Sequence, residues 1–399
     1  MGFLLIVLLE IIMLPCSIKA ADTNSHYEPL IDSLAASGSR DLSLSEQGDT
    51  LRISYRPMGF RDEYHAFSTV HDQTETWLNK TDNTKIKFIE YDQSNWGIQL
   101  IRALVSRKSS AREFQRDYTT DNELHNSETH YRSLPFLLQF DIPLKADFGN
   151  FYDPLIFRTG IRPDVRLMVK PGLVLYGQID LYMHNEYDPH MWYNPANIGV
   201  MYARPLHRKV LSVTNFGAFI KELYGFDEEI RVSLRKDRLT VGIHGGAYGD
   251  LFFRNNRFEY TELNKYMVVL KALWSYAPYD CTLGLKGGRF LYGDFGYGVE
   301  ISRIFKEIEI GVSGIRSGPD VIGGISFRMP LFSKNRKART RYGIDIVKNW
   351  GFTYRFDSRG MIYDPQAIID KAFEPEVGMS FREIESLARP VHFTYMSQN

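Results

Sequence analysis

Ten histidines, 48 acidic residues, 48 basic residues and two cysteines are the groups from which this chain of 399 residues could build a reactive site. Their spacing matches few known chemistries. No Walker-type loop is present to cradle a phosphate, and no Gly-x-Gly-x-x-Gly opens a helix after a strand. There is no His-Glu-x-x-His to hold zinc and no Gly-x-Ser-x-Gly to present a nucleophile. Cys16 and Cys281 are too far apart in sequence for a paired ligand motif, so no metal and no cofactor is expected. Two histidine settings remain. His184 and His190 flank Glu186 and Asp188, either as a loop metal site or, the preferred reading, as solvated loop polarity. His244 falls on the polar face of a strand, either paired with a serine as in a hydrolase or, again preferred, within a hydrogen-bonded interior. The chain therefore reads as non-enzymatic.

The charges are more informative in register than in motif. Leu173, Leu175, Gly177, Ile179, Leu181 and Met183 alternate with Val174, Tyr176, Gln178, Asp180, Tyr182 and His184. Successive side chains of a strand point to opposite faces, so one face is apolar and the other mostly polar. The same division sets Arg166, Lys170, Arg231, Arg235, His244, Lys286, Glu300, Glu307, Glu309 and Arg328 opposite aliphatic faces. With Tyr176 and Asp180 they are the candidate lining of a wet lumen. Such charges form rings that select a permeant, or salt-bridged ladders that fill and stiffen a closed barrel. Ladders are the preferred reading. Tyr176 and Tyr182 could also stack on sugar rings.

The elements that must carry these residues are short strands. Period-two alternation is sustained from residue 131 to 332, giving about twelve antiparallel strands. Tight turns such as Lys170-Pro171-Gly172 and Arg235-Lys236-Asp237 alternate with longer polar stretches at 184–197 and 246–263. Tight turns on one side and loops on the other describe an up-and-down membrane barrel. A soluble sandwich alternates too. The thin aliphatic face, the charged opposite face and the aromatic pairs Trp192 and Tyr193, Phe252 and Phe253, Tyr276 and Tyr279, and Phe290 and Tyr292 favour a barrel with interface girdles. Composition agrees. Aromatics reach 14%, and mean hydropathy is −0.28, as expected when lipid-facing and wet faces average. Zero net charge argues against nucleic acid as a partner.

Residues 1–20 read as a signal peptide with an apolar core and Ala20 at the cleavage site. Residues 21–50 read as a flexible lead-in with a short helix near 30–36. Residues 51–130 read as a small α/β periplasmic domain and linker, with strands at 51–55 and 86–91. Ile98, Ile101, Leu104 and Val105 predict a helix over 96–107, and 108–132 reads as a polar linker. Residues 333–399 hold a basic segment (Lys334, Arg336, Lys337, Arg339, Arg341), possible final strands at 342–347 and 350–356, and a helical tail with patterns at 364–373 and from Ser380. This tail could plug the lumen, lie beneath the barrel or close it.

One segment is more specific. Lys286-Gly287-Gly288-Arg289-Phe290-Leu291-Tyr292-Gly293-Asp294-Phe295-Gly296 is followed by Ser302-Arg303-Ile304-Phe305 and by the Gly-containing Glu309-Ile310-Gly311. It resembles the YjbH-type family of exopolysaccharide and capsule outer-membrane proteins, with further similarity in Lys170-Pro171-Gly172-Leu173 and in Gly323 to Leu331. The resemblance implies an outer-membrane barrel acting in secretion or assembly of a surface polysaccharide, beside periplasmic and lipoprotein components. It marks Gly288, Arg289, Gly293, Asp294 and Gly296 as the family motif, read as a turn of fixed geometry with Arg289 paired to Asp294 or to a neighbouring strand. A general small-solute porin and an outer-membrane hydrolase are the alternatives.

Overall fold

The computed structural model describes residues 26–57, 63–107, 112–120, 136–148, 155–219, 222–234, 238–254, 257–276, 279–305, 308–331, 344–347 and 349–357. They form two sheets. The first holds β1 (Ser39–Gln47), β2 (Thr50–Pro57), β3 (Phe88–Asn95), β4 (Ile98–Ser106) and β5 (Arg112–Thr120), in that order. Helix α1 (Glu28–Ser37) precedes it, and helix α2 (Glu63–Lys80) joins β2 to β3. These two strands are parallel, so the connection has to cross over, and a helix does this. Leu30, Ile31 and Leu34 of α1 and Phe67, Val70, Thr74 and Leu78 of α2 share one face of each helix at three- to four-residue steps. They bury against Leu42, Leu44, Leu51, Ile53 and Ile89 of the sheet. Gly38 ends α1 at φ +115°, a left-handed position.

Three sequence expectations fail here. Residues 26–50 are no loose lead-in: the short helix expected near 30–36 is α1, and strand β1 follows it. Their composition misleads because the polar side chains of Ser39, Asp41, Ser43 and Ser45 are themselves buried. Residues 98–106 form strand β4 where helical spacing predicts a helix. Both faces at its start are covered, since Ile98, Gln99, Leu100 and Ile101 are all buried, and burial on both faces erases period two. Strand β5 likewise replaces part of the expected linker.

The second sheet holds sixteen strands among the described residues, thirteen of which form the wall of a nearly closed antiparallel barrel. It begins with β6 (Phe136–Asp141) and β7 (Leu144–Phe148), which pair with successive stretches of β8 (Leu155–Lys170). It continues through β9 (Leu173–Asn185), β10 (Tyr193–His207), β11 (Val210–Phe219), β12 (Leu223–Leu234) and β13 (Leu239–Arg254). Strand β14 (Arg257–Tyr260) folds back on the end of β13 as a protruding hairpin. The wall then runs through β15 (Lys265–Tyr276), β16 (Cys281–Arg289), β17 (Phe295–Phe305), β18 (Ile308–Ser317) and β19 (Asp320–Pro330). The short β20 (Ile344–Ile346) lies parallel to β6, and β21 (Asn349–Asp357) pairs with β19. The barrel sheet thus extends past residue 332. At the seam the indole Nε1 of Trp350 donates to the carbonyl of Ile142 at 2.9 Å. The expected helices at 364–373 and from Ser380 lie outside the described residues.

The outer face is a band of aliphatic side chains, among them Ile243, Leu270, Val299, Ile301 and Val312, all exposed. Exposed aromatics edge it at both ends. Trp192, Tyr193, Tyr266 and Phe295 stand at the loop end, and Trp274, Tyr276, Tyr279 and Phe305 at the tight-turn end. Phe290, expected in a girdle, is instead wholly buried and faces inward. The side chain of Phe253 lies outside the described residues.

Candidate functional site in the barrel interior

The interior is filled from three directions, the first at the tight-turn end. Trp96 and Gly97 form the two-residue turn between β3 and β4, with φ +53° and +74°. Positive φ at both positions suits the twist of a tight hairpin. This turn reaches the barrel: the carbonyl of Trp96 accepts from the N–H of Gly172, and the carbonyl of Gly172 accepts from Ala203, both at 2.8 Å. Trp96, Ile98 and Leu100 pack against the inward-facing Val174, Tyr176, Met201, Ala203, Leu211 and Val213. The approach is close enough that a Cβ on Gly97 would sit 2.7 Å from Pro171 Cα. Behind the hairpin the Arg56 guanidinium lies 4.7 Å from the Trp96 ring centre. The same guanidinium pairs with Asp41 at 2.8 Å, both side chains nearly inaccessible. The first sheet therefore seats its β3–β4 turn inside the end of the barrel on the β8–β11 side.

The second filling is polar and lies at mid-height. In β8, Arg166 holds Asp164 at 2.5 Å, and Gln178 of β9 donates to the same carboxylate at 3.0 Å. Asn197 of β10 donates to Gln178 at 2.7 Å. Arg162 donates to Asp180 at 2.5 Å. A second ladder crosses β12, β13 and β15. Arg231 pairs with Glu229 at 2.7 Å, and Lys271 approaches Glu229 at 3.5 Å. Lys271 Nζ lies 2.9 Å from His244 Nδ1, while His244 Nε2 lies 2.6 Å from Asp227, which also accepts from Tyr248 at 2.5 Å. An ammonium donating to Nδ1 leaves the ring proton on Nε2, where Asp227 accepts it. Both ring nitrogens of His244 are thus engaged, and the partners are not serine. Within each ladder the cations, Arg162 with Arg166 or Arg231 with Lys271, are paired with carboxylates of the same or a neighbouring strand.

The third filling is the resemblance motif at the loop end. The N–H of Phe290 donates to the carbonyl of Asp294 at 2.8 Å, and that of Gly293 donates to the Phe290 carbonyl at 3.0 Å. Gly293 takes φ +92°, which explains the glycine. Arg289 reaches the neighbouring strand, donating to the carbonyl of Tyr266 at 2.8 Å. The turn throws Phe290 and Leu291 inward onto Phe219, Leu223, Met267, Val269, Ile315 and Ile322. Tyr248 belongs to this apolar cluster and also to the polar ladder below it.

The remaining candidates are distributed unevenly. Lys286, Glu300, Glu309 and Arg328 line the β16–β19 wall, with Arg328 Nη1 3.5 Å from Glu309. Between them the inward positions are small: Gly284, Gly298, Gly311, Gly324, Ser302, Ser313 and Ser326. Lys170 is not in the lumen. A bulge between Met168 and Lys170 shifts the alternation and places it outside, 5.7 Å from the ring of the exposed Tyr202. Arg235 and Glu307 lie outside the described residues. Sequence reasoning missed Trp96, Arg162, Asp164, Asp227, Glu229 and Lys271. Lys271 carried a usable signal, a lone lysine inside the apolar run 266–274.

In the β9–β10 loop the acids serve the backbone. Glu186 accepts the N–H of Phe157 at 2.8 Å and sits 3.1 Å from His184, and Asp188 accepts the N–H of His190 at 3.1 Å. The Phe157 amide first, then His184, holds the Glu186 carboxyl below the usual carboxylate range. Among the described residues, no group of three or more His, Cys, Asp or Glu could hold a metal ion.

No family model and no curated protein matches the chain. Among solved structures it is similar to OmpT (in-vitro folded), an outer membrane protein of Vibrio cholerae, at 7% identity and a TM-score of 0.27, over 56% of this chain and 96% of that one. The barrel assignment stands on the strand ladder and the two-faced walls of the chain itself.

Proposed function

We propose that this protein is a bacterial outer-membrane barrel, exported by its signal peptide, that serves secretion or surface assembly of an exopolysaccharide or capsule without catalysing a reaction. The observation that carries the dedicated, non-porin part of this reading is the occupied interior. A turn from the first sheet fills the tight-turn end, salt-bridged ladders occupy the middle, and the Phe290–Leu291 turn fills the loop end. In such barrels the tight turns face the periplasm, which supports a periplasmic first sheet in reach of periplasmic and lipoprotein components. The polysaccharide assignment is supported by the resemblance of residues 286–311 to the YjbH-type family. Deleting the gene and measuring surface polysaccharide tests it: loss, restored by the intact gene, supports the role, and unchanged polysaccharide contradicts it. Separately, the protein should fractionate with outer membranes and shift on unheated gels. One observation favours the porin reading, the small inward residues of the β16–β19 wall.

A further inference from the structure

The outer wall contains one group that a lipid-facing surface does not explain. Asp227, Glu228 and Glu229 are consecutive, and Asp227 and Glu229 both face the interior ladder. Strand alternation then forces Glu228 outward. It is the sixth of the twelve residues of β12, at mid-height, on the face shared with Phe226 and Ile230. Its neighbours there are Thr214 and Gly245, its register partners on β11 and β13, and its carboxylate accepts only the hydroxyl of Ser212, at 3.0 Å, among the described residues. An ionisable side chain at that depth costs free energy unless something in the membrane plane pairs with it.

A complementary charge stands two strands away. Arg204 of β10 is exposed on the same outer face, opposite Ser212 of β11. It makes no ion pair among the described residues. Strands lie about 4.8 Å apart, so β10 and β12 are about 10 Å apart across β11. A two-fold axis along the membrane normal beside β11 would lay β10 of one copy against β12 of the other. Each Arg204 would then face the other copy's Glu228, giving two equivalent ion pairs around Thr214.

We propose that the β10–β12 outer face is an interface with a second copy of this chain, closed by reciprocal Arg204–Glu228 pairs. The inference rests on the membrane-barrel reading. It is tested in outer membranes with Thr214→Cys in a chain whose Cys16 and Cys281 are replaced by serine, using Val299→Cys on the far wall as reference. Mild oxidation should give a band of twice the chain mass for Thr214→Cys and none above background for Val299→Cys. Glu228→Arg should reduce that yield about tenfold by setting like charges opposite each other, and adding Arg204→Glu should restore it. Equal yields from the two cysteines, or a yield indifferent to Glu228→Arg, would overturn the interface. Light scattering of the unaltered protein in mild detergent gives an independent reading: twice the chain mass is expected, and a single-chain mass overturns the proposal. A heat-modifiable chain that does not cross-link refutes the interface alone. A chain absent from outer membranes refutes both this and the barrel reading.

Discussion

The backbone N–H of Gly172, in the turn between β8 and β9, donates to the carbonyl of Trp96, in the turn between β3 and β4, at 2.8 Å. This bond joins the two sheets, and the surrounding contacts leave little tolerance. Gly97 takes φ +74°, and a Cβ there would lie 2.7 Å from Pro171 Cα. Gly97→Ala should therefore weaken the seating of the hairpin by about 1–3 kcal/mol. Gly48→Ala, at φ +65° with nothing within 4 Å, should cost only about 1 kcal/mol. Limited proteolysis checks this: the first sheet of Gly97→Ala should be cleaved sooner while the barrel still shifts on unheated gels.

Arg56 both stacks on Trp96 and pairs with Asp41 in a site closed to water. Asp41→Asn takes a counter-charge away from a guanidinium closed to water, so it should destabilise the first sheet by about 2–4 kcal/mol. Urea titration followed by protease sensitivity of that sheet reads the loss. Replacing both residues with apolar ones should recover much of it.

The first sheet should also weaken in acid. Glu46 accepts from Lys85 and from Tyr27, each at 2.5 Å, and Lys85 first, then Tyr27, lowers its pKa. Burial first, then the bond to Glu46, raises Tyr27. A carboxylate with a depressed pKa stabilises the fold above its unfolded value, and this is lost as pH falls through the folded value. Thermal melts of the first sheet should show an acid-side loss that Glu46→Gln removes. An unchanged acid limb in that variant would refute the assignment.

Asp227 balances Lys271 through His244. Asp227→Asn leaves the half-buried ammonium with one fewer counter-charge and should lower barrel stability by about 2–4 kcal/mol. The temperature at which the unheated-gel shift disappears measures this. His244→Ala should act in the same direction and leave surface polysaccharide intact as long as the barrel persists.

The sequence disclosed the walls better than their contents. In β9, Leu175 and Leu181 face out while Tyr176, Gln178 and Asp180 face in, because one side meets apolar surroundings and the other a filled polar interior. That contrast is what periodicity detects. Lys170 escaped it because a bulge adds a residue, and no side-chain pattern marks the insertion. Residues 98–101 escaped it because burial on both faces removes the contrast. Trp96 was invisible as part of the site, since its role depends on a turn of one sheet meeting a turn of another. Residues 227–229 did announce something: three consecutive acids in a strand cannot all face inward.

An interior occupied by the chain itself should not conduct, and single-channel recording in planar bilayers tests this most directly. The purified full-length protein should give no steady ohmic conductance. A stable open-channel current from the unaltered chain would contradict the account and favour a general porin.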